Sequence, residues 1–176
     1  WGLVNRAALM PSREETEIAV AAVEALRQKH AGVIVIDHVV PDYHARYPKA
    51  CMSGWARRTF NVTPSGKVLP CHAAETLKHL NFWNVREKSV ADIWYESPAF
   101  NAYRGDSWMK EPCRSCERRD IDFGGCRCQA LALTGDAANT DPICEKSPHR
   151  VSIGALAEAA ASGAIDYRYR RLHARD

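Results

Sequence analysis

No stretch of this chain is apolar over a membrane-spanning length. The longest runs, Val-Ile-Val-Ile at 33–36 and Val-Val at 39–40, are separated by Asp37 and His38, whereas a spanning helix needs about 20 apolar residues. Charge of one sign is scarce too. The chain has 24 Lys and Arg against 21 Asp and Glu, a net charge of +3, too mild to imply a nucleic acid or a membrane surface as partner. The basic segment Tyr167-Arg-Tyr-Arg-Arg171 is the local departure. No charged-then-apolar leader resembling a signal peptide is present, so a reducing cytoplasm is expected. The 7 histidines form no H-E-x-x-H set. No Ser-His-Asp series, phosphate loop or internal repeat is found either, so zinc-protease, triad-hydrolase and P-loop chemistries have no support. With 46 % hydrophobic and 26 % charged residues, the composition is that of an ordinary globular protein.

The first 40 residues carry the clearest local signals. Ser12 with Glu15 three residues on makes a capping box, and Ile18, Ala22 and Leu26 form an apolar stripe flanked by Ala19 and Val23. Together they predict an amphipathic helix over 12–30, ended by Gly32. The run at 33–36 predicts a buried parallel strand. Helix then strand is one unit of an α/β fold, here the last unit of a partial, TIM-like barrel lying upstream. The start at Trp1 rather than Met fits a piece of a longer polypeptide.

From Pro41 the texture changes to loops and short elements. Residues 59–63 and 67–69 flank the turn Pro64-Ser-Gly66 and predict a hairpin that delivers Cys71 just beyond it. Ser89 and Asp92 open a short helix carrying Val90, Ile93 and Trp94, and Pro98 starts another turn. Residues 106–150 are rich in Cys, Gly, Pro and Asp, and too poor in apolar residues to hold one shape without a metal staple. An alanine-rich helix is predicted over 154–161, stopped near Ser162-Gly163. The expected class is α+β. The expected division is 1–48 as the end of the barrel, 49–150 as a metal-binding domain and 151–176 as a helix with a basic tail.

The 7 cysteines fall in a spaced series. Cys51-x14-Gly66-x4-Cys71 is followed by Cys113-x2-Cys116-x5-Asp122-x3-Cys126-x-Cys128, and Cys144 closes it. An odd count leaves a thiol over if all were disulfides, and clustered cysteines in a reducing compartment bind metal. Counting Asp122 gives eight ligands, enough for two centres of four, with Asp120, Glu117 and His72 as rivals for that place. A C-x2-C pair alone suits zinc more often than a cluster. Two features favour iron and sulfide. The ligands span almost a hundred residues, and structural zinc uses a carboxylate less often than Cys or His. Arg57, Arg58, Arg114, Arg118, Arg119 and Arg127 crowd the ligands, where they would stabilise thiolate charge. Trp55, Trp83, Trp94 and Trp108 read mainly as small-domain core.

This ligand series resembles the SPASM domain of radical S-adenosylmethionine enzymes. The family carries cysteine where Asp122 stands and no fixed cysteine at Cys128, so one thiolate is lost and one gained. The flanks Asn61-Val-Thr-Pro-Ser-Gly-Lys-Val-Leu-Pro-Cys-His-Ala-Ala-Glu75, Glu111-Pro-Cys-Arg-Ser-Cys116 and Gly124-Gly-Cys-Arg-Cys-Gln-Ala130 are similar to the peptide-crosslinking branch of pyrroloquinoline quinone biosynthesis. The resemblance implies two auxiliary iron–sulfur clusters, 4Fe-4S or 2Fe-2S. One would be held by Cys51, Cys71, Cys126 and Cys128, the other by Cys113, Cys116, Asp122 and Cys144. It further implies S-adenosylmethionine and a third 4Fe-4S cluster on a barrel whose C-x3-C-x2-C motif does not occur in these residues. The implied reaction, carried out by the intact parent, is a glutamate–tyrosine carbon–carbon crosslink in the peptide PqqA, with the auxiliary clusters transferring electrons. The chaperone PqqD and a flavodoxin-type reductant are the implied partners. The alternatives are another peptide-modifying SPASM enzyme, or a structural zinc module with no redox role.

Overall fold

The computed structural model describes residues 5–38 and 42–161. These fall into two compact units, one of residues up to His44 together with those from Val151, the other of residues 45–150.

In the first unit, α1 (Arg6–Leu9) leads into α2 (Arg13–Lys29). The expected capping box forms. Ser12 Oγ accepts from the Glu15 N–H at 3.2 Å, and the Glu15 carboxylate accepts from the Ser12 N–H at 2.7 Å. Two orphan donors of the first turn are thereby satisfied, and Glu15 is held below its ordinary pKa by the same bonds. The strand expected at 33–36 does not form. Ala31–Val33 turn, the chain is irregular to His38, and Val33 and Val35 are 77 % and 91 % exposed. A parallel strand exists only with partners beside it and helices over its faces, and the described residues of this unit contain no other strand. The apolar face of α2 is uncovered for the same reason, with Ile18 and Leu26 exposed.

The second unit is built from short pieces. A 3₁₀ turn at Cys51–Ser53 precedes the hairpin, whose strands β1 (Asn61–Val62) and β2 (Val68–Leu69) pair antiparallel in the register Asn61↔Leu69, Val62↔Val68. It is shorter than the sequence suggests, but its turn is the expected one: Gly66 has φ +88 and donates to the Thr63 carbonyl at 2.8 Å. The chain then passes a 3₁₀ turn at Ala74–Thr76 and returns along β2, where the Val68 N–H reaches the Trp83 carbonyl at 2.9 Å. α3 (Val90–Glu96) starts at a second capping box, Ser89 with Asp92, and α4 (Pro98–Asn101) starts on proline. α5 (Arg119–Asp122) and α6 (Arg127–Thr134) follow. α7 (Arg150–Ala161) belongs, from Val151 on, to the first unit. The alanine-rich helix thus begins four residues before its expected start at 154. Its expected stop at Ser162-Gly163 and the basic tail lie outside the described residues. No helix among the described residues is long and apolar enough to cross a membrane.

Trp55, Val68, Leu69, Leu77, Ile93 and Phe100 form the apolar core of this unit, with Cys71 and Cys128 buried among them. Trp55 donates its Nε1 proton to the Ala99 carbonyl at 3.0 Å, which satisfies the polar end of a buried indole. Arg104 donates to the Ala56 and Trp94 carbonyls and caps the core from one side. Residues 106–150 are held differently. Arg127, Thr140, Asp141 and Ser147 are all buried there, so much of this half is organised by polar contacts. Substituting Ile93, fully buried on α3, by alanine is expected to lower the unfolding free energy by about 2–5 kcal/mol. Tyr95→Ala, at a position 72 % exposed on the same helix, is expected to change it by less than about 0.5 kcal/mol. Urea unfolding followed by tryptophan fluorescence measures both.

Candidate metal centres

Each ligand segment is delivered by a different local device. Cys51 sits on a 3₁₀ turn that closes with the Gly54 N–H on the Cys51 carbonyl at 2.7 Å. Cys71 comes one residue after β2, beyond Pro70, and is buried in the core. Cys126 is the residue before α6 and Cys128 lies in its first turn. These three segments bring four sulfurs together. Cys126 and Cys71 each accept hydrogen bonds from both Cys128 and Cys51. Those bonds pull Cys71 down to about 3 and Cys126 down to about 2. The donors move the other way: Cys51 and Cys128 are raised by the bonds they give to Cys126 and Cys71, with burial adding to the effect. The four sulfurs thus act on one another, two pushed down and two pushed up.

The second set faces a separate cavity. Cys113, Cys116, Asp122 and Cys144 all line it, together with Arg118, Thr140 and Lys146, around about 340 Å³ of space with its open mouth included. Asp122 is at the end of α5, only 8 % exposed, with Oδ1 accepting from the Gly124 N–H at 3.1 Å and Oδ2 at 3.4 Å from Arg118 Nε. Cys113 Sγ is 3.5 Å from Thr140 Oγ1, and Lys146 Nζ donates to Cys116 Sγ at 3.3 Å. Burial raises Cys113 and Cys144 above the ordinary thiol range. The rivals of Asp122 are placed elsewhere. Asp120 lines another cavity beside Arg57 and Phe123, while Glu117 and His72 face solvent. No group of three or more His, Cys, Asp or Glu among the described residues is disposed around a single metal ion. All 7 cysteines are free thiols.

The arginines separate into roles. Arg118 pairs with Asp122 and stacks over the Tyr47 ring at 4.1 Å. Arg57 lies over the Phe123 ring at 4.2 Å, and Arg58 is exposed. Arg114 donates to the Met109 carbonyl at 2.8 Å, and Arg119 pairs with Asp106 and Asp120. Arg127 alone is fully buried, its guanidinium on the carbonyls of Gly124, Ala137 and Asn139 and over the Trp108 ring at 4.6 Å. Trp55 is core; Trp83 and Trp94 are partly buried against it.

Sequence reasoning missed Asp141. Its carboxylate accepts from the Cys126 N–H at 2.6 Å, from Gln129 Nε2 at 2.9 Å and from the Ile143 N–H at 3.0 Å. Its carbonyl accepts from the Cys144 N–H at 2.9 Å. An Asp two residues before the amide it binds is a turn signal, and Asp141-Pro-Ile-Cys144 carries it. Desolvation raises Asp141 above the usual carboxylate range, opposed by these bonds. Gly125 (φ +76) backs onto it. A Cβ there would lie 2.7 Å from Asp141 Cβ and 2.8 Å from Pro48 Cβ, so only glycine fits.

Residues 51–117 match the SPASM model, described as an iron-sulfur cluster-binding domain. The chain is 64 % identical to a PqqA peptide cyclase of Methylocella silvestris over 99 % of its own length and 48 % of that protein's. It is 62 % identical to the PqqA peptide cyclases of Methylobacterium sp. 4-46 and Granulibacter bethesdensis, over 98 % of its length and 46 % of theirs. The chain thus spans about half the length of the curated relatives it matches.

The shared protons of the first set have a pH consequence. Cys71 and Cys126 fall below the ordinary thiol pKa of about 8.5, so their stabilisation is complete above that value and is lost as the pH falls towards about 3 and 2. Cys51 and Cys128 are raised, so theirs is complete below it and lost on alkalinisation. The metal-free chain is expected to keep about two thiolates near pH 5, where an ordinary thiol is protonated. Ultraviolet thiolate absorbance measures this, and its disappearance at that pH would show that the four thiols do not share protons.

Proposed function

Because the chain carries a SPASM iron-sulfur cluster-binding domain and resembles the C-terminal part of PqqA peptide cyclases, we propose that it holds the two auxiliary clusters of such an enzyme. Cys51, Cys71, Cys126 and Cys128 hold the first. Cys113, Cys116, Asp122 and Cys144 hold the second. The observation that carries this reading is the convergence of four buried or half-buried thiols from three segments, with a cavity lined by the other four expected ligands. The donor set fits the group: thiolates are the ordinary ligands of iron–sulfur clusters, and their neighbours hold Cys71 and Cys126 below the ordinary thiol range.

When bound, the clusters supply one-electron transfer. The chain's own residues prepare for them. Asp141 orients the Cys126 amide, α6 presents Cys128 from its first turn, and Lys146 offsets charge at Cys116. Asp122 is a harder, weaker electron donor than thiolate, so it gives the second site a different potential from an all-thiolate one.

The intact parent, PqqE-like, forms a carbon–carbon bond between a glutamate and a tyrosine of PqqA in pyrroloquinoline quinone biosynthesis. It uses S-adenosylmethionine and a third cluster on a barrel. Restoring aromaticity to the coupled tyrosine ring requires loss of one electron and of the ring proton at the new bond; an auxiliary cluster held by these ligands would accept the electron, and the proton would pass to a base or solvent. PqqD delivers the peptide and a flavodoxin-type reductant supplies electrons, in the cytoplasm.

Metal and acid-labile sulfide analysis of the anaerobically reconstituted chain, with Mössbauer spectra, tests the reading. The expected result is about four to eight irons per chain with matching sulfide, from two clusters of the two-iron or four-iron type. Zinc without sulfide would leave a structural module and end the redox reading. Asp122→Ala is expected to lower iron content and alter the paramagnetic signal of the second cluster alone; an unchanged signal would reassign that ligand.

A further inference from the structure

Between the two ligand sets lies a charge that neither set uses as a ligand. Arg127 is the residue flanked by Cys126 and Cys128, so its backbone belongs to the first set. Its guanidinium reaches the other way. Nη1 donates to the carbonyls of Ala137 and Asn139 at 2.7 and 2.9 Å, and Nη2 donates to the Gly124 carbonyl. Gly124 and Thr140, the neighbour of Asn139, both line the second cavity. The side chain is 1 % exposed, and its buried Nε has no hydrogen-bond partner. Burial works against its charge, and Asp141 with the thiols of Cys113, Cys126 and Cys51 works in its favour. Those thiols come from both sets.

We propose that Arg127 is a cation shared by the two cluster sites, a positioning residue that sets both reduction potentials together. This rests on the reading of the two sets as cluster ligands. Adding an electron to a thiolate-ligated cluster adds negative charge in a low-dielectric interior, and a fixed cation beside it favours that reduced form. One guanidinium facing both sites favours both reductions. Asp141 is its counterweight, because its carboxylate holds the Cys126 amide and its carbonyl the Cys144 amide. Two other cations near the ligands touch one set alone. Lys146 contacts Cys116 and Arg118 contacts Asp122, both in the second set.

The test is a redox titration of the reconstituted full chain, followed by electron paramagnetic resonance and visible absorbance, with iron and sulfide counted for each variant. Arg127→Gln removes the charge and keeps a donor; both midpoint potentials are expected to fall. Arg127→Lys keeps the charge with fewer donors; both are expected to stay near native. Asp141→Asn removes the opposing charge, and both are expected to rise. Lys146→Met is expected to lower the potential of the second site alone. The proposal is overturned if Arg127→Gln moves one potential or neither, or if Lys and Gln at 127 shift both alike, as a purely structural role requires. If Arg127→Gln does not retain iron, Asp141→Asn decides: a joint rise supports the shared cation, and any other pattern overturns it. Absence of iron and sulfide from the native chain would instead overturn the cluster reading itself, and this inference with it.

Discussion

A single buried carboxylate fixes the relation between the two halves of the ligand machinery. Asp141 is fully buried, and it receives the amides of Cys126 and Ile143, the side chain of Gln129 and, through its carbonyl, the amide of Cys144. Leaving such a carboxylate with fewer partners would cost several kcal/mol, because desolvation of an ion is repaid only by a full set of donors. The loop before α6 and the loop bearing Cys144 are therefore locked in register. Gly125 is glycine because any side chain there would displace Asp141 or Pro48. The surrounding loops have few apolar residues to set their course, and this constraint takes the place of a hydrophobic core.

The unit over residues 45–150 thus has two kinds of interior. Around Trp55, Leu69, Ile93 and Phe100 it is ordinary apolar packing, supplied by a hairpin and two capped or proline-led helices. Around Arg127 and Asp141 it is a buried polar network, in which each group's charge is tolerable only because the others are present. Cys71 and Cys128 sit in the first kind, and Cys126 is held at the junction with the second. The thiol groups are therefore shaped by packing on one side and by fixed charges on the other.

Much of this was legible in the chain. The capping boxes at Ser12 and Ser89, the turn at Gly66 and the proline start of α4 are local chemistry, and local chemistry survives into the structure. The cysteine spacing foretold that distant segments meet. The strand at 33–36 was misread because a buried parallel strand is a property of its neighbours, not of four β-branched residues. Arg127 was one arginine among six near the ligands. Only the tertiary fold distinguishes it, since burial and three backbone acceptors cannot be inferred from a Cys-Arg-Cys triplet. Asp141 carried an audible turn signal, but its reach to Cys126 spans 15 residues and has no sequence signature.

The carboxylate at position 122 also changes what oxygen can do to the protein before any metal is bound. Thiolates climb from sulfenic to sulfonic acid or pair as disulfides, whereas a carboxylate does neither. The first set has four thiols, so oxidation in pairs leaves none of them over. The second set has three thiols and Asp122. Pairing two of them strands the third, whose remaining routes are a mixed disulfide with another molecule or the irreversible upper rungs of the ladder. Oxidative damage in the metal-free chain would therefore fall unevenly, and the site that exchanges one sulfur for oxygen is the one whose thiols have no complete shelter in each other.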